Sequence, residues 1–241
     1  MFERVTIRAT DRDASERFYG VVLRSLGAEQ SRSDARDARW GVFIVREADE
    51  ANPPTRRVHL GFTAQSRGRV DEFWRIGTGA GYRDDGQPGL RPEYGPDDSG
   101  GFLLDPDGNS AEAVHHDLVG DRDLIDHIWI RVADVAVAKR FYAAVGRHAR
   151  FELRTDTPER GQLAGPRGSF SVVAGTPTEH LHMAFAAAED DVVDAFHREL
   201  TEAGYRSLDA PAERRGEERR AYAAMVADPD GNRIELVHFT P

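Results

Sequence analysis

The feature that most constrains this chain is an internal repeat held at one fixed offset. Ile7-Arg8, Asp11 and Arg17-Phe18-Tyr19 return as Ile130-Arg131, Asp134 and Arg140-Phe141-Tyr142. Val70-Asp71, Phe73 and the run Ala80 to Arg83 return as Val193-Asp194, Phe196 and the run Ala203 to Arg206, and the turn Asp105 to Asn109 returns as Asp228 to Asn232. Each pair lies 123 positions apart, as Ile7 does from Ile130 and Asp105 from Asp228. A constant spacing over three separate segments means one domain written twice in tandem, which predicts copies at 1–118 and 124–241 joined near Asp117 to Leu124.

Each copy reads as one strand-helix-strand-strand-strand module run through twice, an α+β pattern. VTIRAT and HIWIRVA alternate as strands. Ala14, Phe18, Val22 and Leu26 fall at helical spacing after Asp11 and Asp13, which can cap the start, and before Gly27, which can stop it. WGVFIV and GSFSVV read as later strands. VHLGFTA and LHMAFAA open the second modules, an amphipathic helix follows (Val70, Phe73, Trp74; Val193, Phe196, Leu200), and two strands around DPDGN close each copy. Taken alone that turn says hairpin and nothing about chemistry, since proline and glycine sit where a tight turn wants them. Two polar stretches, Asp84 to Gly101 and Ala210 to Tyr222, read as long loops and are expected to act as lids, with Tyr222 or Arg219 supplying a polar contact.

Composition narrows the function. The 241 residues, 39% hydrophobic and 31% charged, suffice for two ordinary cores. A net charge of -10 leaves no basic excess for nucleic acid or an anionic membrane. With no cysteine there is no disulfide and no thiolate, so any metal must be held by nitrogen and oxygen. No window approaches the run of about 18 apolar residues that a membrane helix needs, and MFERVTIRATDRD has no apolar leader-like region, so a cytoplasmic location is expected.

At the repeat offset His59 aligns with His182, Glu112 with Glu235, and Arg4 with His127. All lie on strands, whose side chains alternate faces. Ile128, Ile130 and Val132 form one face suited to packing under a helix, leaving His127, Trp129 and Arg131 on the other. Met183, Phe185 and Ala187 likewise leave His182, Ala184 and Ala186 facing a cup. Two imidazoles and a carboxylate converging there would make a facial triad with open coordination positions on Fe(II), Mn(II) or a related ion.

On the paired modules, the IRxxD…RFY opening and the DPDGNxxE ending, the whole chain resembles the vicinal oxygen chelate superfamily, which includes glyoxalase I, extradiol dioxygenases, fosfomycin-resistance enzymes and bleomycin-binding proteins. The resemblance implies tandem glyoxalase-like domains, each two βαβββ modules forming a cupped mixed sheet with helices on the convex side. It also implies metal ligands at His127, His182 and Glu235, with the swapped module pairing of some members giving His127, His59 and Glu112 instead. The within-copy pairing is preferred. Arg4 cannot ligate a cation but can pair with a facing carboxylate, so Arg4, His59 and Glu112 are expected to form a degenerate, metal-free site.

The implied function is a divalent-metal-dependent enzyme, Fe(II) or Mn(II) favoured over Zn(II) or Ni(II), acting on a small organic substrate with neighbouring oxygens. The alternative is a non-catalytic binding or resistance protein. Dioxygenases and fosfomycin enzymes place a tyrosine ten residues before the last glutamate, where this chain has Phe102 and Met225. The fourth, acidic ligand of glyoxalase I has no counterpart in FSVVAG. Trp129, Arg131, Met225 and Tyr222 are the candidate substrate contacts, with Arg8 the counterpart of Arg131. His115, His116, His148, His180, His197 and His238 read as surface or core residues. Four modules in one chain allow a monomer as well as a homodimer.

Overall fold

A computed structural model describes residues 1–92, 95, 97–116, 123–165, 168–214 and 220–240. Most of the expected joint Asp117 to Leu124 therefore lies outside the described residues, as does Arg219.

The first copy runs β1 (Phe2–Ala9), α1 (Arg12–Ser25), β2 (Arg32–Ser33), β3 (Asp37–Trp40), β4 (Phe43–Glu47), then β5 (Val58–Thr63), α2 (Arg67–Gly79), β6 (Arg83–Leu90), β7 (Ser99–Leu104) and β8 (Ser110–His115). The second repeats it: β9 (Ile125–Val132), α3 (Val135–Ala149), β10 (Glu152–Asp156), β11 (Arg160–Ala164), β12 (Ser169–Ala174), β13 (His182–Ala186), α4 (Asp190–Glu202), β14 (Ser207–Arg214), β15 (Arg220–Ala227) and β16 (Arg233–Thr240). Asp11 and Asp134 cap their helices as the sequence predicts, accepting from Ala14 N and Val137 N.

The strands form two eight-stranded mixed sheets, ordered β14-β15-β16-β13-β1-β4-β3-β2 and β10-β11-β12-β9-β5-β8-β7-β6. Each sheet thus joins the first module of one copy to the second module of the other. The within-copy pairing preferred from sequence is corrected here. Both pairings bury the same alternating faces, so burial pattern alone cannot choose between them.

The chain gathers into two compact units, Ile7–Trp129 and Met1–Thr6 with Ile130–Pro241. Within the first, Phe18, Tyr19, Trp40, Phe43, Phe62 and Phe73 are fully buried, with edge-to-face pairs such as Tyr19–Phe43 at 4.7 Å and Phe18–Tyr82 at 4.8 Å. The second builds the same core from Phe141, Tyr142, Phe170, Phe185 and Phe196, with Tyr142–Phe170 at 4.9 Å and Phe141–Tyr205 at 4.8 Å.

The repeated motifs meet in space. Tyr19 of RFY donates its buried hydroxyl to Asp105 of DPDGN at 3.0 Å, and Tyr142 to Asp228 at 2.8 Å. The other carboxylate oxygen of Asp105 accepts from the backbone of Asp107 and Asn109. Asn109 then accepts from Val58 N at the start of β5. The turn is therefore a clasp that fixes β8 in register with β5 as well as closing a hairpin.

The two expected lids are largely edge strands instead. β6 pairs with β7 and β14 with β15, each with two register shifts. An edge strand bonds along one side only, so it accommodates Pro88 and Pro211 and needs no apolar alternation, which is why both read as loops. Among the described residues no helix is long and apolar enough to cross a membrane.

Candidate metal centre

In the Ile7–Trp129 unit the register does the placing. In the parallel β5–β8 pair His59 lies opposite Ser110 and Gly61 opposite Glu112, so the His59 ring stands between Ser110 and Glu112 on one face. β9 brings His127 to the same spot. His59 Nε2 lies 3.0 Å from Glu112 Oε2 and 3.2 Å from His127 Nε2, and His127 Nε2 lies 3.3 Å from Glu112 Oε2.

Outer partners set the direction of each ring. Ser110 donates to Asp85 at 2.7 Å and so accepts from His59 Nδ1 at 3.1 Å. Asp126 Oδ1 accepts from His127 Nδ1 at 3.0 Å and from His116 Nε2 at 3.3 Å, and His116 Nδ1 reaches Asp98 at 2.8 Å. With both Nδ1 atoms committed outward as donors, both Nε2 lone pairs point inward at each other and at a carboxylate oxygen. Three such atoms repel unless a cation sits among them. Donors about 2.1 Å from one ion stand roughly 3.0 Å apart in octahedral geometry and roughly 3.4 Å apart in tetrahedral geometry. The observed triangle falls in that range.

Electrostatics tell the same story with a proton in the role of cation. Burial pushes Glu112 upward, but hydrogen bonds from His127 and His59 outweigh it and hold the carboxyl at about 2. Burial pushes His127 down, but Asp126 and Glu112 raise it to about 9. His59 is lowered, first by burial and then by the charge on His127, against the pull of Glu112. Hydrogen bonding to Asp126, then to Asp98, raises His116 against its burial.

The other unit is built alike and finished differently. His182 lies opposite Arg233 and Ala184 opposite Glu235 in the parallel β13–β16 pair. His182 Nε2 is 2.8 Å from Glu235 Oε2. The third member is Arg4, whose Nη2 donates to both carboxylate oxygens at 3.3 and 3.1 Å. Burial pushes Glu235 upward, but the His182 hydrogen bond and charge, aided by Arg4 and Arg214, hold it at about 2.

The preferred set of His127, His182 and Glu235 is thus not brought together, and neither is the degenerate set of Arg4, His59 and Glu112. His127 joins His59 and Glu112, and Arg4 joins His182 and Glu235, because each sheet is made from modules of different copies. The His59, Glu112 and His127 donors all lie within 4.8 Å of one another.

Among the candidate substrate contacts, Trp129 flanks this triangle, its ring 6.1 Å from His59 and 6.4 Å from His127. Phe102, opposite Glu112 in the β7–β8 ladder, lies 5.9 Å from His59. Met225 holds the matching place opposite Glu235. Tyr222 donates to Asp194 on α4, and Arg131 is exposed beside Gly175.

Sequence reasoning missed Asp126, Ser110, Asp85 and Asp98, and assigned His116 to the background. The repeat held the signal. At the same offset Ser110, Asp85, Asp98 and His116 become Arg233, Leu208, Ala221 and Phe239. Of the outer supports only Asp126 keeps an acid at the matching place, Glu3; the other four are replaced in the half with one imidazole.

Residues 124–236 match the model of the Glyoxalase/Bleomycin resistance protein/Dioxygenase superfamily. The chain is similar in structure to glyoxalase I from Zea mays, with a TM-score of 0.71 and 18% identity over 98% of this chain and 92% of that one. It is also similar to a putative dioxygenase from Bacillus subtilis, with a TM-score of 0.66 and 12% identity over 100% of this chain and 85% of that one. At such identities these likenesses show the fold alone. No curated protein sequence matches the chain.

Proposed function

From the premise that residues 124–236 belong to the glyoxalase/bleomycin resistance/dioxygenase superfamily and that the whole chain has its two-domain fold, we propose a divalent-metal-dependent enzyme whose ligands are His59, Glu112 and His127. Its substrate would be a small organic molecule with two neighbouring oxygens. The observation carrying this reading is the triangle of lone pairs that Ser110 and Asp126 aim inward. When bound, the ion would supply Lewis acidity or oxygen activation. Two imidazoles and one carboxylate with open positions are the facial-triad pattern of non-haem Fe(II) sites, and on that likeness we favour Fe(II) or Mn(II) over Zn(II) or Ni(II).

The chain's own groups bind and orient. Glu112, ionised across the physiological range, brings the single negative charge of the donor set. Asp126 and Ser110 hold the rings. Trp129 and Phe102 offer flat apolar surface on which a planar substrate can stack. This reading assigns substrate contact to Trp129 and none to Arg131, Met225 or Tyr222. A cytoplasmic protein acting as a monomer or homodimer belongs to the same proposal.

Elemental analysis of protein purified without chelators, followed by calorimetric titration with Mn(II), tests it. One ion per chain is expected, lost in His59→Ala; a wild-type protein that takes up no ion overturns the proposal. A second reading, a binding protein without turnover, is favoured by Phe102, which puts an apolar ring where related enzymes carry a tyrosine hydroxyl. Stoichiometric metal and tight ligand uptake with no product formed from catechols or hemithioacetals would select it.

A further inference from the structure

Gly61 and Gly100 do not have positive φ, so backbone conformation does not require glycine at either position. What they supply is room. A Cβ on residue 61 would lie 2.6 Å from His127 Nδ1 and 2.8 Å from His127 Nε2, well inside the ~3.5 Å at which non-bonded heavy atoms rest. The ring cannot swing aside cheaply, because Asp126 holds Nδ1 while Nε2 faces Glu112 and His59. A Cβ on residue 100 would collide with Glu112 Oε1. That oxygen ends a flexible side chain, so the second conflict is the milder.

In the other half both positions are alanine. Ala184 lies directly opposite Arg4 in the antiparallel β1–β13 pair, and Ala184 and Ala223 are buried together with Ala221 and Val237, against which Phe239 packs. Ala221 and Phe239 stand where the first half has Asp98 and His116. The second half thus lacks the second imidazole, the space for it and counterparts of Asp98 and His116.

We propose that Gly61, aided by Gly100, is the positioning residue that makes one half metal-competent, and that Ala184 and Ala223 bar the metal from the other half independently of Arg4. This deepens the metal reading above and rests on it. A site ligand must be held to within about 0.5 Å, and an alanine at 61 displaces the ring by roughly twice that. Arg4→His alone should therefore fail to create a second site, because the new imidazole would meet the Ala184 methyl.

Co(II) titration, followed by visible absorption and calorimetry, tests this on four proteins. Wild type and Arg4→His should each bind one ion. Gly61→Ala should bind at least about tenfold more weakly, on the scale of losing a supporting contact, with an unchanged circular dichroism spectrum, since alanine already occupies the matching place in β13. Arg4→His/Ala184→Gly/Ala223→Gly should take up a second ion, about 10–100-fold more weakly than the first because the outer supports are not restored, a gain that misfolding cannot produce. A second ion in Arg4→His alone, wild-type affinity in Gly61→Ala, or a triple variant that stays at one ion overturns the proposal while the metal reading stands. A wild type that binds no Co(II) sinks the metal reading itself.

Discussion

The two halves keep the same buried pair, an imidazole Nε2 within 3.0 Å of a glutamate oxygen, and differ in what completes it. In one, the third member is His127, an imidazole whose Nε2 can hold either a proton or a metal ion. In the other it is Arg4, whose guanidinium carries its positive charge permanently. The difference teaches that a duplicated polar cluster can be closed in two ways. It can remain a receptor for a cation, or it can incorporate one covalently and become part of the core.

The comparison can be broken most sharply through metal uptake. Glu112→Gln should abolish stoichiometric binding while Glu235→Gln leaves it untouched, as read by elemental analysis. Equal losses would mean that the halves are not specialised.

Stability should show the reverse asymmetry. Glu235→Gln removes the negative charge facing a mostly buried guanidinium and should cost roughly 3 kcal/mol in denaturant unfolding. The sign with pH follows from the lowered carboxyl. The stability Glu235 contributes is fully present above the ordinary value of 4.5 and is lost as pH falls toward about 2. The variant's unfolding free energy should therefore vary less with pH across that window.

Where the halves are alike, effects should match. Tyr19→Phe and Tyr142→Phe each remove a hydroxyl from a buried aspartate and should each cost about 1.5–3 kcal/mol; a marked inequality would show that only one clasp matters. The smallest expected effect is Asp126→Asn, which keeps the shape around His127 but weakens its support. It should lower metal affinity about 10–100-fold with little change in melting temperature.

Much of this was legible in the sequence for identifiable reasons. The repeat offset, the helix starts at Asp11 and Asp134 and the alternation of Ile128, Ile130 and Val132 are local signals, and each appears in the fold. The four cup positions His59, Glu112, His182 and Glu235 follow from strand parity. The partner of His127 does not. Which second module pairs with which first module depends on packing between segments far apart in sequence, and both choices satisfy the same alternation. The edge strands β6 and β14 escaped because a strand exposed on both faces needs no periodicity. Gly61 was invisible for a related reason: a glycine that leaves space looks the same in sequence as one that bends the backbone, and only the neighbouring ring tells them apart.

The exchange of modules also sets the sequence of events when this polypeptide is synthesised. β5 to β12 are consecutive along the chain, so the sheet containing His59, Glu112 and His127 can assemble as soon as its own residues emerge. The other sheet pairs Phe2 with Phe185, so β1 must wait for most of translation with its β13-facing edge unoccupied, open to mispairing with a neighbouring nascent chain. The half that carries its own cation is therefore the half that matures last, and it can do so without an ion having to be at hand.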